Sequence, residues 1–381
     1  MASSACDGAV AVMRSIPVHV SPGFPGLRHR STLQMSHYAT RVTRPVKRGP
    51  CLTAPGVRLL TVTMSDPASH DTTIWVVSDG RRGIENQALG LAEAVGRGLG
   101  TPHHIERVTV RKDGFVTLPS HSHPDFWIGC GRAAIPLARR HRRIFPDCHF
   151  TYVQDPRTRH DDFDLIVAPT HDRLVKPNAI SMTGSPNRVT AEVLATAKDS
   201  FSDRLDTLAG RRIAVLIGGN SKRFKLDTAS VRYLTDRMDT LIAGGASLMV
   251  TVSRRTPESA RKILREHFGA DERVWYHDGE GENPYFAFLA AADWIFVTEE
   301  STNMLVEASA TGAPVYVLPL VGTPGKFALL HAELEACGAV RPYLGRLDHW
   351  SYVPLDETRR VADALLNQYR AQRGAADSEA A

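Results

Sequence analysis

Cysteine is scarce and scattered. Its five copies, Cys6, Cys51, Cys130, Cys148 and Cys337, are odd in number and form no C-x-x-C pair, which argues against a disulfide framework or a zinc site. A reducing compartment, the cytoplasm, is the simpler setting. No apolar run approaches the roughly 18 residues of a spanning helix, so membrane contact, if any, is peripheral. Neither G-x-G-x-x-G nor G-x-x-x-x-G-K-[ST] occurs, which weakens the dinucleotide and P-loop readings. A nucleotide-sugar epimerase would want a Tyr-x-x-x-Lys pair and that glycine fingerprint, and the sequence has neither. G-x-S-x-G is missing too, and with it the hydrolase elbow. His103-His104 and His121-Ser-His123 lack partners at metal-ligand spacing. Asp162-Phe163-Asp164 spells D-x-D, but Asp164 leads straight into an apolar strand, so both acids read as turn residues and no metal site is expected.

What is present is a long, mixed chain. Its 381 residues, 43% hydrophobic and 23% charged, are comfortable for two globular domains. The net charge of +5 is uneven. Residues 1–63 hold eight Lys/Arg against Asp7 alone, and the remainder is nearly balanced at 38 basic and 40 acidic. The folded part therefore lacks the basic footprint of a nucleic-acid binder. Residues 1–70 carry no persistent period and read as a leader, either disordered or mis-called. An Arg/Ser-rich, acid-poor leader fits a mitochondrial transit peptide. Pro17, Pro22, Pro25, Pro45, Pro50 and Pro55 would interrupt a presequence helix and favour the other reading, an over-called start ahead of Met64.

From residue 71 strands and helices alternate, the mark of parallel α/β sheets. Ile74–Val77, His104–Val110, Phe126–Ile128, Phe150–Val153 and Leu165–Ala168 read as strands. Helices follow Gln87 and span Ala133–His141. The expected boundaries are an acceptor-side domain over 71–190, a connecting helix (Ala191–Ala197) and charged linker over 191–211, a second α/β domain over 212–345, and a helix with a disordered tail over 346–381. The second domain opens with the strand Arg212–Ile217 and continues with a helix over Thr228–Ala243 and the strand Ser247–Val252. Thr256 as N-cap with Pro257 at the first helical position starts the next helix.

The most informative stretch is 293–319. Trp294–Val297 is a short buried strand, and Glu299–Asn303 is a polar turn. Ser301 or Thr302 is suited to cap the following helix, Gly312 ends it, and Pro314–Leu318 is the next strand. Ligands in such sheets sit outside the carboxyl ends of the strands, which is where Thr298, Glu300, Ser301 and Asn303 fall. A helix start there suits a phosphate. Glu307 lies one turn beyond Asn303 on the same face, where its carboxylate can accept hydrogen bonds from ribose hydroxyls. This pattern resembles the donor-nucleotide site of GT-B glycosyltransferases, among them the bacterial cell-wall enzyme that adds N-acetylglucosamine to a lipid-linked precursor.

Two further strand–loop–helix junctions share one theme. Ser78-Asp79-Gly80-Arg81-Arg82-Gly83 opens the first domain, and Gly218-Gly219-Asn220-Ser221-Lys222 opens the second. Glycines let backbone N–H groups approach a phosphate, and Arg or Lys adds charge. Either loop alone is as readily a tight turn. Ser253 and Arg254, at another strand end, and Lys326 are further candidates for a diphosphate clamp.

Together, Val76–Ala92, Leu216–Lys222, Val252–Pro257, Thr298–Ala308 and Gly325-Lys326-Phe327, in order over about 72–345, resemble the elongated-mitochondria (ELM-type) mitochondrial-fission family, itself similar to GT-B nucleotide-sugar enzymes. The resemblance implies two Rossmann-like lobes facing a cleft. It implies a nucleotide sugar as donor substrate, an unknown acceptor and no further cofactor. In eukaryotic members it implies a mitochondrial-surface role with a dynamin-related partner. In the transferase reading Glu307 holds ribose. The 218–222 loop and Ser301–Asn303 hold the diphosphate, and Asp79 or Glu85 takes the acceptor's proton. Gly80, Arg81, Gly83, Asn86 and Gln87 present the acceptor. The other reading is a non-catalytic adaptor on the same scaffold. Where the family is expected to carry aspartate in the 298–301 turn, this chain has Glu300.

Overall fold

A computed structural model describes residues 71–111, 116 and 123–380. The leader over 1–70 and His121 lie outside the described residues. The first lobe runs β1 (Thr72–Ser78), α1 (Arg82–Leu99), β2 (His103–Thr109), β3 (Phe126–Cys130), α2 (Ala134–Ile144), β4 (His149–Val153), β5 (Leu165–Pro169) and β6 (Ala179–Met182). Two connecting helices follow, α3 (Ala191–Ser200) and α4 (Ser202–Leu205). The second lobe begins β7 (Arg211–Ile217), β8 (Phe224–Lys225), α5 (Thr228–Ala243), β9 (Ala246–Val252), α6 (Glu258–Phe268), β10 (Val274–His277) and α7 (Tyr285–Ala291). It continues β11 (Trp294–Thr298), α8 (Thr302–Ser309), β12 (Val315–Leu318), β13 (Val321–Gly322), α9 (Phe327–Ala336) and β14 (Val340–Pro342), and α10 (Glu357–Ala380) closes the chain.

Each lobe is built on a six-stranded parallel sheet. The first has the order β2-β1-β3-β4-β5-β6 and the second β10-β9-β7-β11-β12-β14. Strands β3, β4, β5, β9 and β11 are buried along their whole length, as strands covered by helices on both faces must be. The strand order reverses between β1 and β3 in the first lobe and between β7 and β11 in the second. Such reversals open the crevices where α/β sheets take ligands. Each lobe has an apolar cluster on either face of its sheet.

Two expectations about the chain's course need correction. The segment 346–381 is not an appendage. Val361, Ala362, Leu365 and Leu366 of α10 are buried in the first lobe's core beside Leu91 and Val95 of α1, and Tyr369 packs on Phe126 with ring centroids 4.3 Å apart. The helix also continues to Ala380, where a polar tail was expected. The connecting helix of 191–211 is α3, capped by Thr190 Oγ1, which accepts from Val193 N at 3.2 Å; Leu194, Ala197 and Phe201 pack against the second lobe's core.

Candidate functional site

The cleft has a volume of about 880 Å³, within the range of small-ligand sites. Its floor is a chain of polar side chains crossing from lobe to lobe. Gln87 Oε1 accepts from Gln154 Nε2 at 2.9 Å, and Gln87 Nε2 donates to Asn303 Oδ1 at 3.3 Å. The same Asn303 oxygen accepts from Ser185 Oγ at 3.3 Å, while Asn303 Nδ2 donates to the Gly83 carbonyl at 3.4 Å. The start of α8 is thereby tied to the start of α1. Lys326 adds an ion pair across the cleft to Asp172.

Of the residues singled out in the sequence, Arg81, Gln87, Lys222, Thr302, Asn303 and Lys326 line this cavity. Asp79, Gly80, Gly83, Glu85 and Asn86 do not. Gly80 turns the chain with φ 73°. Asp79 Oδ2 accepts from Arg81 Nε at 2.9 Å. Burial works to raise the Asp79 pKa, but its hydrogen bonds and ion pair with Arg81 outweigh that and hold it below the usual carboxylate value.

The crevice at the second lobe's strand reversal is filled by the chain itself. Gly218 N donates to Thr298 Oγ1 at 2.8 Å and Gly219 N to Glu300 Oε1 at 2.5 Å. Asn220 N donates to the Arg255 carbonyl at 3.1 Å, and Ser221 N to the Phe224 carbonyl at 3.0 Å. Ser221 Oγ accepts from Phe224 N at 3.0 Å, and Asn220 Oδ1 from Leu226 N at 2.9 Å. The backbone donors of 218–221 are thus committed, and the Glu300 carboxylate sits where an incoming anion would meet Gly219. Burial raises the Glu300 pKa despite these hydrogen bonds and Arg255, whose guanidinium is 3.9 Å away. Both glycines are required by contact: a Cβ on Gly218 would collide with Glu300, and one on Gly219 with the Arg255 backbone.

Two expected caps are not made. The Ser301 side chain, at the N-cap position with φ −94° and ψ 74°, makes no capping bond to α8, and Thr302 is already inside the helix. The Thr256 hydroxyl does not cap α6 either; it donates to the Gly218 carbonyl and locks that loop to the 253–256 turn. Ser253 Oγ is spent within the same turn, accepting from Arg255 N at 3.1 Å. Arg254 is exposed and outside the cavity. Glu307 does not line the cavity either. Its Oε2 accepts from the Tyr285 hydroxyl at 2.5 Å. Burial raises the Glu307 pKa to about 7, tempered by that bond and by Arg188.

The cavity's main wall was not singled out from sequence. It belongs to the first lobe: Gly131 and Arg132 after β3, Gln154 to Arg159 after β4, and His171 and Asp172 after β5. Asp155 pairs with Arg157 and His160, each at 3.2 Å, and Arg157 reaches Asp172 at 3.4 Å. Among the described residues the four non-glycine positions with positive φ are Gln154 (85°), Arg157 (66°), Arg159 (58°) and Arg173 (54°). Three line this cavity and the fourth adjoins it. Strained backbone of this kind gathers at functional sites. Gly131-Arg132 repeats the strand-Gly-Arg theme of Gly80-Arg81, a signal the sequence does carry. Among the described residues no cluster of three His, Cys, Asp or Glu side chains is placed to hold a metal, and no helix is long and apolar enough to cross a membrane.

Two parallel-sheet lobes joined across a polar, cation-rich cleft define an α/β protein of the GT-B type. The chain belongs to the mitochondrial fission ELM1 family, whose model matches residues 82–369. It is 26% identical over 311 residues to mitochondrial fission protein ELM1 of Arabidopsis thaliana, covering 74% of this chain and 71% of that one. It is 25% identical over 354 residues to protein RP120 of Rickettsia prowazekii (strain Madrid E), covering 77% and 97%. Among solved structures, UDP-GlcNAc 2-epimerase from Methanocaldococcus jannaschii aligns with TM-score 0.46 and 10% identity over 78% of this chain and all of that one. Acinetobacter baumannii MurG aligns with TM-score 0.40 and 12% identity over 78% and 91%.

Proposed function

We propose that the chain is a nucleotide-sugar-dependent glycosyltransferase of unknown acceptor, working in the cleft between its lobes. The observation that supports this is the cavity itself: six cationic side chains, Arg81, Arg132, Arg157, Arg159, Lys222 and Lys326, line it against the two carboxylates of Asp155 and Asp172. Fixed cations in a walled cleft stabilise a leaving diphosphate as its charge develops. Asp79, kept ionised by Arg81, is the better placed of the two candidate bases, since it lies beside the Gly131 turn at the cavity's edge. A ribose reaching Glu307 has to displace the Tyr285 hydroxyl. Closure of the lobes around the Asn303 bridge would expel water. The experiment is a thermal-shift screen of nucleotide sugars with the full chain, followed by product analysis on the best ligand. Stabilisation by a nucleotide sugar, weakened in Glu307→Ala, with release of the nucleoside diphosphate, is expected. No stabilisation by any member and no diphosphate release would refute the transferase reading.

A second reading has its own support. The crevice at the β7–β11 reversal is filled by Glu300 and the Glu307 carboxylate by Tyr285, as in a scaffold that no longer takes a donor there, and the Arabidopsis relative is named a mitochondrial fission protein. In that reading the chain is an adaptor acting through protein partners. A partner bound equally well by wild type and Glu307→Ala, with no nucleotide effect, would favour it.

A further inference from the structure

We infer that the phosphate-bearing part of the ligand is seated on the first lobe, by Arg132 and Arg159, with Lys222 reaching to it from the second lobe. This rests on the cleft being a ligand site, but not on sugar transfer.

Two strand reversals face the cleft, and they differ. The one between β7 and β11 is closed by Glu300, which holds Gly219 N at 2.5 Å. The one between β1 and β3 is open to the cavity and lined by Arg81, Gly131 and Arg132. A sheet of this order takes its ligand at that reversal.

The cations of the cavity also divide. Arg81 is paired with Asp79 at 2.8 Å, Arg157 with Asp155 and Asp172 at 3.2 and 3.4 Å, and Lys326 with Asp172. Arg132, Arg159 and Lys222 are exposed into the same cavity with no side-chain hydrogen bond or ion pair among the described residues. Three uncompensated positive charges remain in one walled space. Arg159 is held there at φ 58°, a cost that a bare surface arginine has no reason to carry. Two guanidinium forks and one ammonium match the oxygens of two linked phosphates better than those of a single carboxylate. The ligand class is therefore a diphosphate ester, bridging the lobes and drawing Lys222 towards the arginines.

The test is calorimetric titration of the full chain with inorganic pyrophosphate and, separately, with uridine diphosphate, at low and moderate salt. Wild type is expected to bind pyrophosphate. Arg132→Gln/Arg159→Gln should weaken it by about tenfold or more, as lost charge-assisted hydrogen bonds do. Lys222→Gln should weaken it less, and Arg139→Gln, outside the cavity on α2, should leave it within about twofold of wild type. Urea titrations confirm that each variant is folded. Pyrophosphate binding equal in wild type and the double variant, or no binding to wild type, would overturn the inference. So would binding lost in Lys222→Gln but kept in the double variant, which puts the seat on the second lobe. Nucleotide-sugar turnover that survives the double variant sinks this seat and spares the transferase reading. Pyrophosphate held by the two arginines with no nucleotide sugar accepted does the reverse.

Discussion

Gly219→Ala is expected to be among the most damaging small changes in the second lobe, for a reason unrelated to backbone conformation. A Cβ there falls well inside 3.0 Å of the Arg255 carbonyl and of Thr256 N. These are backbone atoms, so no rotamer relieves the clash, and the 253–256 turn has to move. Over-packing of this sort costs about 1–3 kcal/mol. The displacement also breaks the 2.5 Å bond from Gly219 N to the buried Glu300 carboxylate, a charge-assisted bond of about 1.5–3 kcal/mol. The sum is about 2.5–6 kcal/mol. Gly245 is the contrast. It has φ 85° with nothing within 4 Å of a Cβ, so Gly245→Ala carries only the left-handed penalty of about 1–2 kcal/mol, and Gly245→Asn recovers part of it, since asparagine tolerates that region. At 219 asparagine does no better than alanine. Urea unfolding followed by tryptophan fluorescence measures all four variants. If Gly219→Ala costs less than about 0.5 kcal/mol, or asparagine rescues both positions alike, the interlocked loop described above is not what holds these residues.

Two more outcomes follow from particular contacts. The folded value of the Glu307 pKa, about 7, lies above its ordinary 4.5, so the folded chain keeps a proton that the unfolded chain releases. This group's contribution is fully present below its unfolded value and is lost as pH rises through about 7, at up to about 1.4 kcal/mol per pH unit. Glu307→Gln should flatten the pH dependence of urea stability between pH 5 and 7, and parallel curves for the two proteins would contradict the burial argument. Leu365→Ala, at a fully buried position where α10 enters the first lobe's core, should cost about 2–5 kcal/mol. A surface-like loss below about 0.5 kcal/mol would mean that α10 does not pack there in solution.

How much of this was legible in the sequence depends on what each signal measures. The strands were, because parallel strands covered on both faces appear as uninterrupted apolar runs such as Trp294–Val297 and Phe150–Val153. Helix starts were less so. Thr256 and Ser301 have the residue types of caps, but a hydroxyl goes to the strongest unsatisfied acceptor nearby, and for Thr256 that acceptor is the Gly218 carbonyl, supplied by a strand remote in sequence. The role of α10 was hidden for a similar reason. Its apolar stripe is visible, but nothing local says which lobe it covers.

The site shows the same limit more sharply. A glycine pair after a strand signals close approach, and the sequence cannot say whether the approaching group is a ligand or the protein itself. At Gly218 it is Glu300, from the turn that was also read as part of the nucleotide site, and at Gly219 it is the Arg255 backbone. Two features expected to cooperate around one ligand instead satisfy each other, which keeps Gly218, Gly219, Thr298 and Glu300 out of the cleft's lining. The cavity is lined instead by Arg132, Arg157 and Arg159, which the sequence analysis did not single out, because their convergence, and the positive φ of Arg157 and Arg159, are invisible in one dimension. A polar group already partnered within the chain must give up that partner before it can serve a ligand, and an unpartnered cation facing a cavity need not. By that measure recognition centres on the first lobe's Arg132 and Arg159 with Lys222 facing them, and the second lobe's Asn303 and Lys326 tie the two walls together.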